Sequence, residues 1–354
     1  MKILFVISSI GIGGEQRVAS ILTNYFIEKG SLVDIVAFEK NTKAFNFNEK
    51  ININLVKNSK GITKNINRIV KIRQLIKNGN YDIVIGFAVI PSILCSIANI
   101  GLNTPVVVCE RNDPDVYPKY WKIIRGWAYN FAQGAVFQTT DAMNYFDRKY
   151  FKKRIVIHNP IELDNLPRLT HGSKSKVIVN TGRLALAKNH ELLIQAFSKI
   201  AKDFDEYILE IYGDGPLKES LLDLVNELGM RKRIVLHEAT PDVLEKIKES
   251  EIFVLSSNNE GFPNSLAEAM AMGIPCISTN CRIGGPKEMI VNNKNGLLID
   301  VNDLEGLENA IRKLIVNQEF RDTISKESYK IREKLDSEII GSNWMGFLNN
   351  LENE

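Results

Sequence analysis

Residues 257–277 read S-N-N-E-G-F-P-N-S-L-A-E-A-M-A-M-G-I-P-C-I. The run places Glu260 in a loop with Gly261 and Pro263, and Glu268, eight residues on, in the helix that follows. Ahead of it, Ile252 to Leu255 is a short unbroken apolar run, the pattern of a strand buried on both faces of a parallel sheet. Two carboxylates are thereby set at the carboxyl end of a strand and in the first turns of a helix. Open α/β sheets bind ligands along that edge, where helix N-termini present unpaired N–H groups to anions. A diphosphate can rest on such amides while the carboxylates accept hydrogen bonds from the hydroxyls of a sugar or ribose. A plain surface loop with a Glu favoured by the helix dipole is the simpler alternative.

Working outward, strand and helix patterns alternate along the whole chain, which predicts α/β layers with parallel sheets. In the first half, strands are expected at Lys2–Ile7, Leu32–Phe38, Ile51–Val56, Asp82–Phe87, Pro105–Cys109, Ala135–Gln138 and Ile155–Ile157. Helices are expected over Glu15–Lys29, Ile62–Lys77, from Pro91, over Lys119–Phe131 and over Asp141–Phe151. His158-Asn159-Pro160 then breaks the pattern and opens a polar stretch to Lys176, where a domain boundary is expected. The alternation restarts at Val177–Thr181 and runs to Ile299, followed by helices Leu304–Val316, Phe320–Lys334 and Ser337–Leu351, the last carrying Trp344. The expected division is residues 1–160, 161–336 and a terminal helix over 337–354.

The 354 residues suit two domains, each able to bury its own core. Apolar content of 44% and charged content of 25% are ordinary for a globular protein, and a net charge of +3 is too small to argue for nucleic acid. Cys95, Cys109, Cys276 and Cys281 show no metal-ligand spacing and read as free thiols in a reducing compartment. The opening apolar run stops at Ser8 and Ser9, too short for a signal peptide, and no stretch approaches 18 uninterrupted apolar residues. The expected location is the cytoplasm, including the inner face of the cell membrane.

Four further segments carry chemistry. Gly11-Ile12-Gly13-Gly14 lets backbone N–H groups approach a phosphate, although Gln16 stands where a dinucleotide fingerprint needs its third glycine. Thr181-Gly182-Arg183-Leu184, followed by Lys188-Asn189-His190, puts two cations five residues apart after a strand, a pairing suited to a diphosphate leaving group. Tyr212-Gly213-Asp214-Gly215-Pro216 is a strand-to-helix turn whose demand is equally met by conformation alone. The helix 62–77 carries Lys64, Arg68 and Lys71 at helical spacing with Lys60 ahead of it, opposite Ile62, Ile66, Ile69 and Ile76. That helix could meet a lipid-linked pyrophosphate or an anionic leaflet, or be a solvated face packed on the sheet.

Taken together, these segments resemble the retaining glycosyltransferases of family 4. Glu260 and Glu268 match that family's E-x7-E, Arg183 and Lys188 its G-R-L…K pattern, and Gly213 its G-x-G-P loop. The Gly13-Gly14 turn is similar to the family's GGxE, with Gln16 in place of the usual Glu, and Arg111 stands where several members carry a sugar-contacting His. The resemblance implies the GT-B fold, two Rossmann-like domains facing a cleft, with the terminal helix crossing back to the first domain. It implies a nucleotide-sugar donor, expected to be a UDP-sugar, and a glycan acceptor such as a polyprenyl-diphosphate-linked one. Arg183 and Lys188 would hold the diphosphate, Glu268 the ribose and Glu260 the transferred sugar. Gly13, Gly14 and the amides following Phe262, in the segment Phe262, Pro263, Asn264, Ser265 and Leu266, would add neutral donors, Pro263 itself having no N–H to give. Some relatives that extend polyprenyl-linked glycans carry a basic helix in the Lys64–Lys71 region.

Arg111 cannot act as a general base, so its role there would be binding, unless it pairs with Glu110 or Asp113. Asp113-Pro114-Asp115 also spells the metal-binding D-x-D of the GT-A transferases; beside the second-half pattern it reads as a decoy, and neither a metal nor another cofactor is expected. Two alternatives stay open: a nucleotide-sugar epimerase of related fold, and a non-catalytic subunit of a glycan-assembly complex.

Overall fold

The computed structural model describes residues 1–11, 13–39, 45–56, 63–146, 150–167 and 174–352. Lys60 and Ile62, named above for the basic helix, lie outside the described residues. The chain divides into two compact units, Met1–Glu162 with Leu335–Glu354, and Leu163–Lys334.

The first unit runs β1 (Lys2–Ser9), α1 (Gly14–Glu28), β2 (Leu32–Glu39), β3 (Asn52–Leu55), α2 (Thr63–Gly79), β4 (Ile83–Gly86), α3 (Val89–Ala98), β5 (Val106–Glu110), α4 (Lys119–Ala128), β6 (Gly134–Phe137), α5 (Thr140–Tyr145) and β7 (Lys153–Val156). Among the described residues these strands form a parallel sheet in the order β3-β2-β1-β4-β5-β6-β7. Burial explains the apolar runs: Ile3 to Ile7 on the central β1 are fully enclosed.

The second unit continues with β8 (Ser175–Thr181), α6 (His190–Ile200), β9 (Ile208–Tyr212), α7 (Lys218–Glu227), β10 (Ile234–His237), α8 (Val243–Ile247), β11 (Ser250–Leu255), α9 (Asn264–Ala271), β12 (Cys276–Thr279), α10 (Gly285–Met289), β13 (Leu297–Ile299), α11 (Leu304–Val316), α12 (Gln318–Tyr329) and α13 (Arg332–Leu335), before α14 (Ser337–Glu352). Its parallel sheet has the order β10-β9-β8-β11-β12-β13. Leu193, Phe197, Tyr207, Ile252, Val254 and Leu307 belong to its core. Both units are Rossmann-like, and in each the order reverses beside the first strand, which creates a crevice at the strands' carboxyl ends.

Helix α14 packs against α1. Trp344 is 1% exposed and meets Phe26 edge-on and Phe87 at a tilt, with ring centroids 6.5 and 6.2 Å away. Ile161 N–H donates to Leu335 O at 2.7 Å, tying the last strand's exit to the start of that helix. No helix among the described residues is long and apolar enough to cross a membrane.

Three expectations from the sequence change. The expected Asp141–Phe151 helix stops at Tyr145, because Phe146 turns extended and stacks its ring among Phe137, Tyr129 and Phe151. The expected Phe320–Lys334 helix is two, α12 and α13. On α2, Arg68 does not present itself outward with Lys64 and Lys71. It is 8% exposed, its guanidinium lies 4.2 Å over the Phe38 ring, and Glu39 stands 3.8 Å from it. Lys64 donates to the same Glu39 at 3.2 Å, while Ile66, expected on the covered side, is 53% exposed. Glu39, at the end of β2, is the acidic partner of both cations, and the side of the helix that is covered carries Arg68, Ile72 and Ile76.

Replacing Trp344 with Ala removes the largest fully buried side chain of the first unit. It is expected to lower stability by about 3–5 kcal/mol, read as a lower urea midpoint. A loss under about 1 kcal/mol would show that α14 is not part of this core.

Candidate functional site

In the second unit the order reverses between β8 and its neighbours β9 and β11, and the loops leaving those strands carry the residues singled out from sequence. The loop after β8 holds Gly182, Arg183 and Lys188; the loop after β9 holds Gly213; the loop after β11 holds Glu260. Backbone bonds tie the first two together: Gly182 N–H donates to Tyr212 O at 3.0 Å and Leu184 N–H to Asp214 O at 2.9 Å. The fit is so close that a Cβ on Gly213 would stand 1.9 Å from Gly182 O, so only glycine is possible there.

Lys188 Nζ donates to Glu260 Oε1 at 2.6 Å, and Ser257 Oγ donates to the same oxygen at 2.6 Å. The Lys188 stem runs alongside Gly182, its Cε 3.6 Å from where a Cβ would be. Three bonds lock this loop pair: Ser256 Oγ to Lys188 O at 3.1 Å, Asn258 N–H to Ala187 O at 2.8 Å and Thr279 Oγ1 to Ser257 O at 2.5 Å. The far side of the Glu260 loop rests on the start of α10, where a Cβ on Gly285 would lie 2.0 Å from Gly261 O. Ile283, just ahead of that helix, holds φ +68°, a left-handed conformation that costs a β-branched residue energy and persists only where packing enforces it. Nothing in the sequence assigned Ser257, Thr279 or Ile283 a role at this site beyond their position near strand ends.

Arg183 is exposed, and among the described residues nothing pairs with it. Glu268 is 7% exposed on α9, in the second turn. The side chains of Phe262, Pro263 and Leu266 are buried, so at those positions only the backbone can meet a ligand; Asn264 and Ser265 are partly exposed. His190 starts α6, is 2% exposed, and its Nε2 stands 3.0 Å from Asn180 Oδ1. Because Asn180 Nδ2 donates to Val254 O at 2.7 Å, its Oδ1 is the acceptor, and we assign the His190 proton to Nε2.

The first unit gathers a polar cluster of its own. Gly13 precedes α1 with no side-chain cap, and Gly14 begins it. Gln16 is buried and folds back over the turn: its Nε2 donates to Ser9 Oγ at 3.0 Å and its Oε1 lies 2.3 Å from where a Cβ on Gly13 would stand. Its neighbour Glu15 supplies the carboxylate instead: it accepts from Ser8 N–H at 3.0 Å, and burial raises its pKa against the pull of that bond and of Arg111. Arg111 pairs with neither Glu110 nor Asp113. It lies 4.0 Å over the Phe87 ring and donates to Asn159 Oδ1 at 2.7 Å, beside the Gln138 amide. Burial brings the guanidinium down to about 10, so it stays cationic at neutral pH. Glu110 instead accepts from Tyr129 OH at 2.6 Å and faces Arg125 at 3.5 Å. Asp113 caps a short turn, and Asp115 accepts from Lys122 and Tyr145 at 2.9 and 2.8 Å.

Comparison with known proteins agrees with the fold of both units. Residues 12–165 match the model described as Glycosyltransferase Family 4, and residues 164–331 match Glycosyl transferases group 1. The GalNAc-α-(1→4)-GalNAc-α-(1→3)-diNAcBac-PP-undecaprenol α-1,4-N-acetyl-D-galactosaminyltransferase of Campylobacter jejuni is 24% identical over 100% of this chain and 99% of its own. The Anabaena protein Alr3699/HepE, solved with UDP and glucose, superposes with a TM-score of 0.84 at 18% identity, covering 99% of this chain and 100% of that one. Sucrose-phosphate synthase from Thermosynechococcus elongatus superposes with a TM-score of 0.86 at 14% identity, covering 99% and 98%. The fold and these matches define a glycosyltransferase of the GT-B type. Within that class, the chain belongs to the family 4-like glycosyltransferases.

Burial, then the charge of Lys188, lowers His190 to about 4, against an ordinary value of 6.5. The unfolded chain therefore takes up a proton between these values that the folded chain refuses. The stability this neutral ring contributes is full above about pH 6.5 and is lost as pH falls toward about 4, by on the order of 2–3 kcal/mol. Urea midpoints at pH 7.5 and pH 5 should diverge less for His190→Gln than for the native chain.

Proposed function

We propose that this glycosyltransferase takes a sugar from a UDP-sugar and passes it, with retention of anomeric configuration and without a metal ion, to a hydroxyl of a lipid-linked bacterial glycan. The sugar is a hexose or an N-acetylhexosamine. The observation that carries the reading is the Lys188–Glu260 contact of 2.6 Å at the switch point of the second unit. A cation suited to a phosphate and a carboxylate suited to sugar hydroxyls are held there in one rigid loop pair. The Anabaena structure with UDP and glucose supports the donor class, and the name of the Campylobacter relative supports an undecaprenol-linked acceptor.

In this reading the bond between the anomeric carbon and the diphosphate breaks as the acceptor oxygen bonds to that carbon, and the acceptor proton passes to the departing phosphate. Negative charge grows on the diphosphate, and fixed cations stabilise it most in the transition state. Glu260 uses one of the three donors of the Lys188 ammonium, which leaves others for a phosphate oxygen. Arg183 offers a fork for bidentate contact. Glu260 orients the transferred sugar, and Glu268 accepts the ribose hydroxyls. Arg111 is a binding cation for an anionic part of donor or acceptor, and the amides of Gly13 and Gly14 are neutral donors.

A thermal-shift series with UDP, GDP, ADP and NAD tests the donor site. UDP alone should raise the melting temperature, EDTA should leave the shift intact, and Glu268→Ala should remove it; a response only to NAD, or to none, would overturn the reading. Glu260→Gln should lower kcat by about 10²-fold or more while UDP binding stays within about twofold. Equal losses in both would sink the division of roles between the two carboxylates.

A further inference from the structure

Helix α4 is turned the wrong way for a helix that serves only its own core. Its buried side chains are Arg125 and Ala128. Arg125 is 3% exposed, faces the buried Glu110 at 3.5 Å, donates to Pro114 O at 3.2 Å and lies 5.0 Å from the Phe146 ring centroid. The outward side carries Tyr120, Ile123 and Trp127, which are 58%, 64% and 52% exposed. At spacings of three and four residues they share one stripe. The Arg125–Glu110 contact thus lies beneath the helix while Tyr120, Ile123 and Trp127 face out and Trp121 is half-buried.

Charge narrows what that stripe meets. The ten residues of α4, Lys119 to Ala128, include three cations and no acid. Lys119 is exposed, and among the described residues it has no partner; Lys122 is held by Asp115 at 2.9 Å. A Tyr hydroxyl and a Trp N–H beside aliphatic surface, flanked by a lysine, suit the headgroup boundary of a bilayer. A protein partner fits less well. Ten residues of helix span about 15 Å and about 10 Å across, far below the roughly 800 Å² per partner of stable interfaces.

We propose that α4 is a membrane-docking element whose Tyr120–Ile123–Trp127 stripe enters the interface of an anionic phospholipid bilayer, with Lys119 at its phosphates. The assignment goes to α4 rather than to the basic helix α2, where Glu39 engages Lys64 and Arg68. The geometry stands without the sugar chemistry; only the purpose of docking, access to a lipid-linked acceptor, rests on the function proposed above.

The test is vesicle flotation of the full chain with phosphatidylcholine alone and with phosphatidylglycerol added. Binding is expected only with phosphatidylglycerol, together with a blue shift of tryptophan fluorescence. Ile123→Glu with Trp127→Glu should weaken it at least about 10-fold. Lys119→Glu alone should weaken it about fivefold. Trp127→Phe should retain it, and none of these exposed changes should alter the UDP-induced thermal shift. That shift tests the donor site separately, so docking and donor binding can fail independently. No binding, equal binding to neutral vesicles, or undiminished binding of the double Glu variant overturns the proposal. Sedimentation showing a dimer that the double variant abolishes, without vesicle binding, assigns the stripe to a second copy and overturns it as well.

Discussion

Backbone meeting backbone at distances that exclude a side chain fixes the chemistry-bearing half of this protein. Gly213 lies against Gly182 O and Gly285 against Gly261 O, with room for no Cβ at either place. These contacts, rather than any single hydrogen bond, bring the loops after β8, β9 and β11 into register. The Lys188–Glu260 pair, Ser257 beneath it and the strained Ile283 behind it follow from that register. A protein interior is close-packed and transmits small displacements, so a site built on such contacts is rigid from the outset.

The first unit obtains its order differently, from aromatic and charged groups reaching across the sheet edge. Trp344 fills the space between α1 and the end of β4, so the last helix of the chain completes the core begun by the first strand. Nearby, Arg111 spreads over Phe87 and shares Asn159 with Gln138, while Glu15 stands close enough to feel its charge. Partly buried, paired and hydrogen-bonded, such a group keeps its charge and its place.

How much was legible in the sequence depended on the distance over which each constraint acts. Strand and helix alternation, the break at His158-Asn159-Pro160 and the placement of Glu260 in a loop with Glu268 on the following helix are local matters of period and punctuation, and the structure agrees with them. The helix boundary that moved at Phe146 is one where a buried side chain overrides propensity. Arg111 was visible as a cation after a strand, but it donates to Asn159, 48 residues away, and not to the acids beside it in sequence.

The sequence by itself determined the fold class, the two-unit division and the loops that carry the candidate donor site. Those properties are written in short-range patterns that each segment obeys alone. The tertiary structure decided which side of each amphipathic helix is covered. Arg68 lies inside and Ile66 outside on α2; Arg125 lies inside while Ile123 and Trp127 face out on α4. It also brought Lys188 to Glu260 across 72 residues. Periodicity shows that a helix has two faces; only the groups packed against it, such as Phe38 over Arg68 on α2 and Glu110 beside Arg125 on α4, distinguish the one that turns inward.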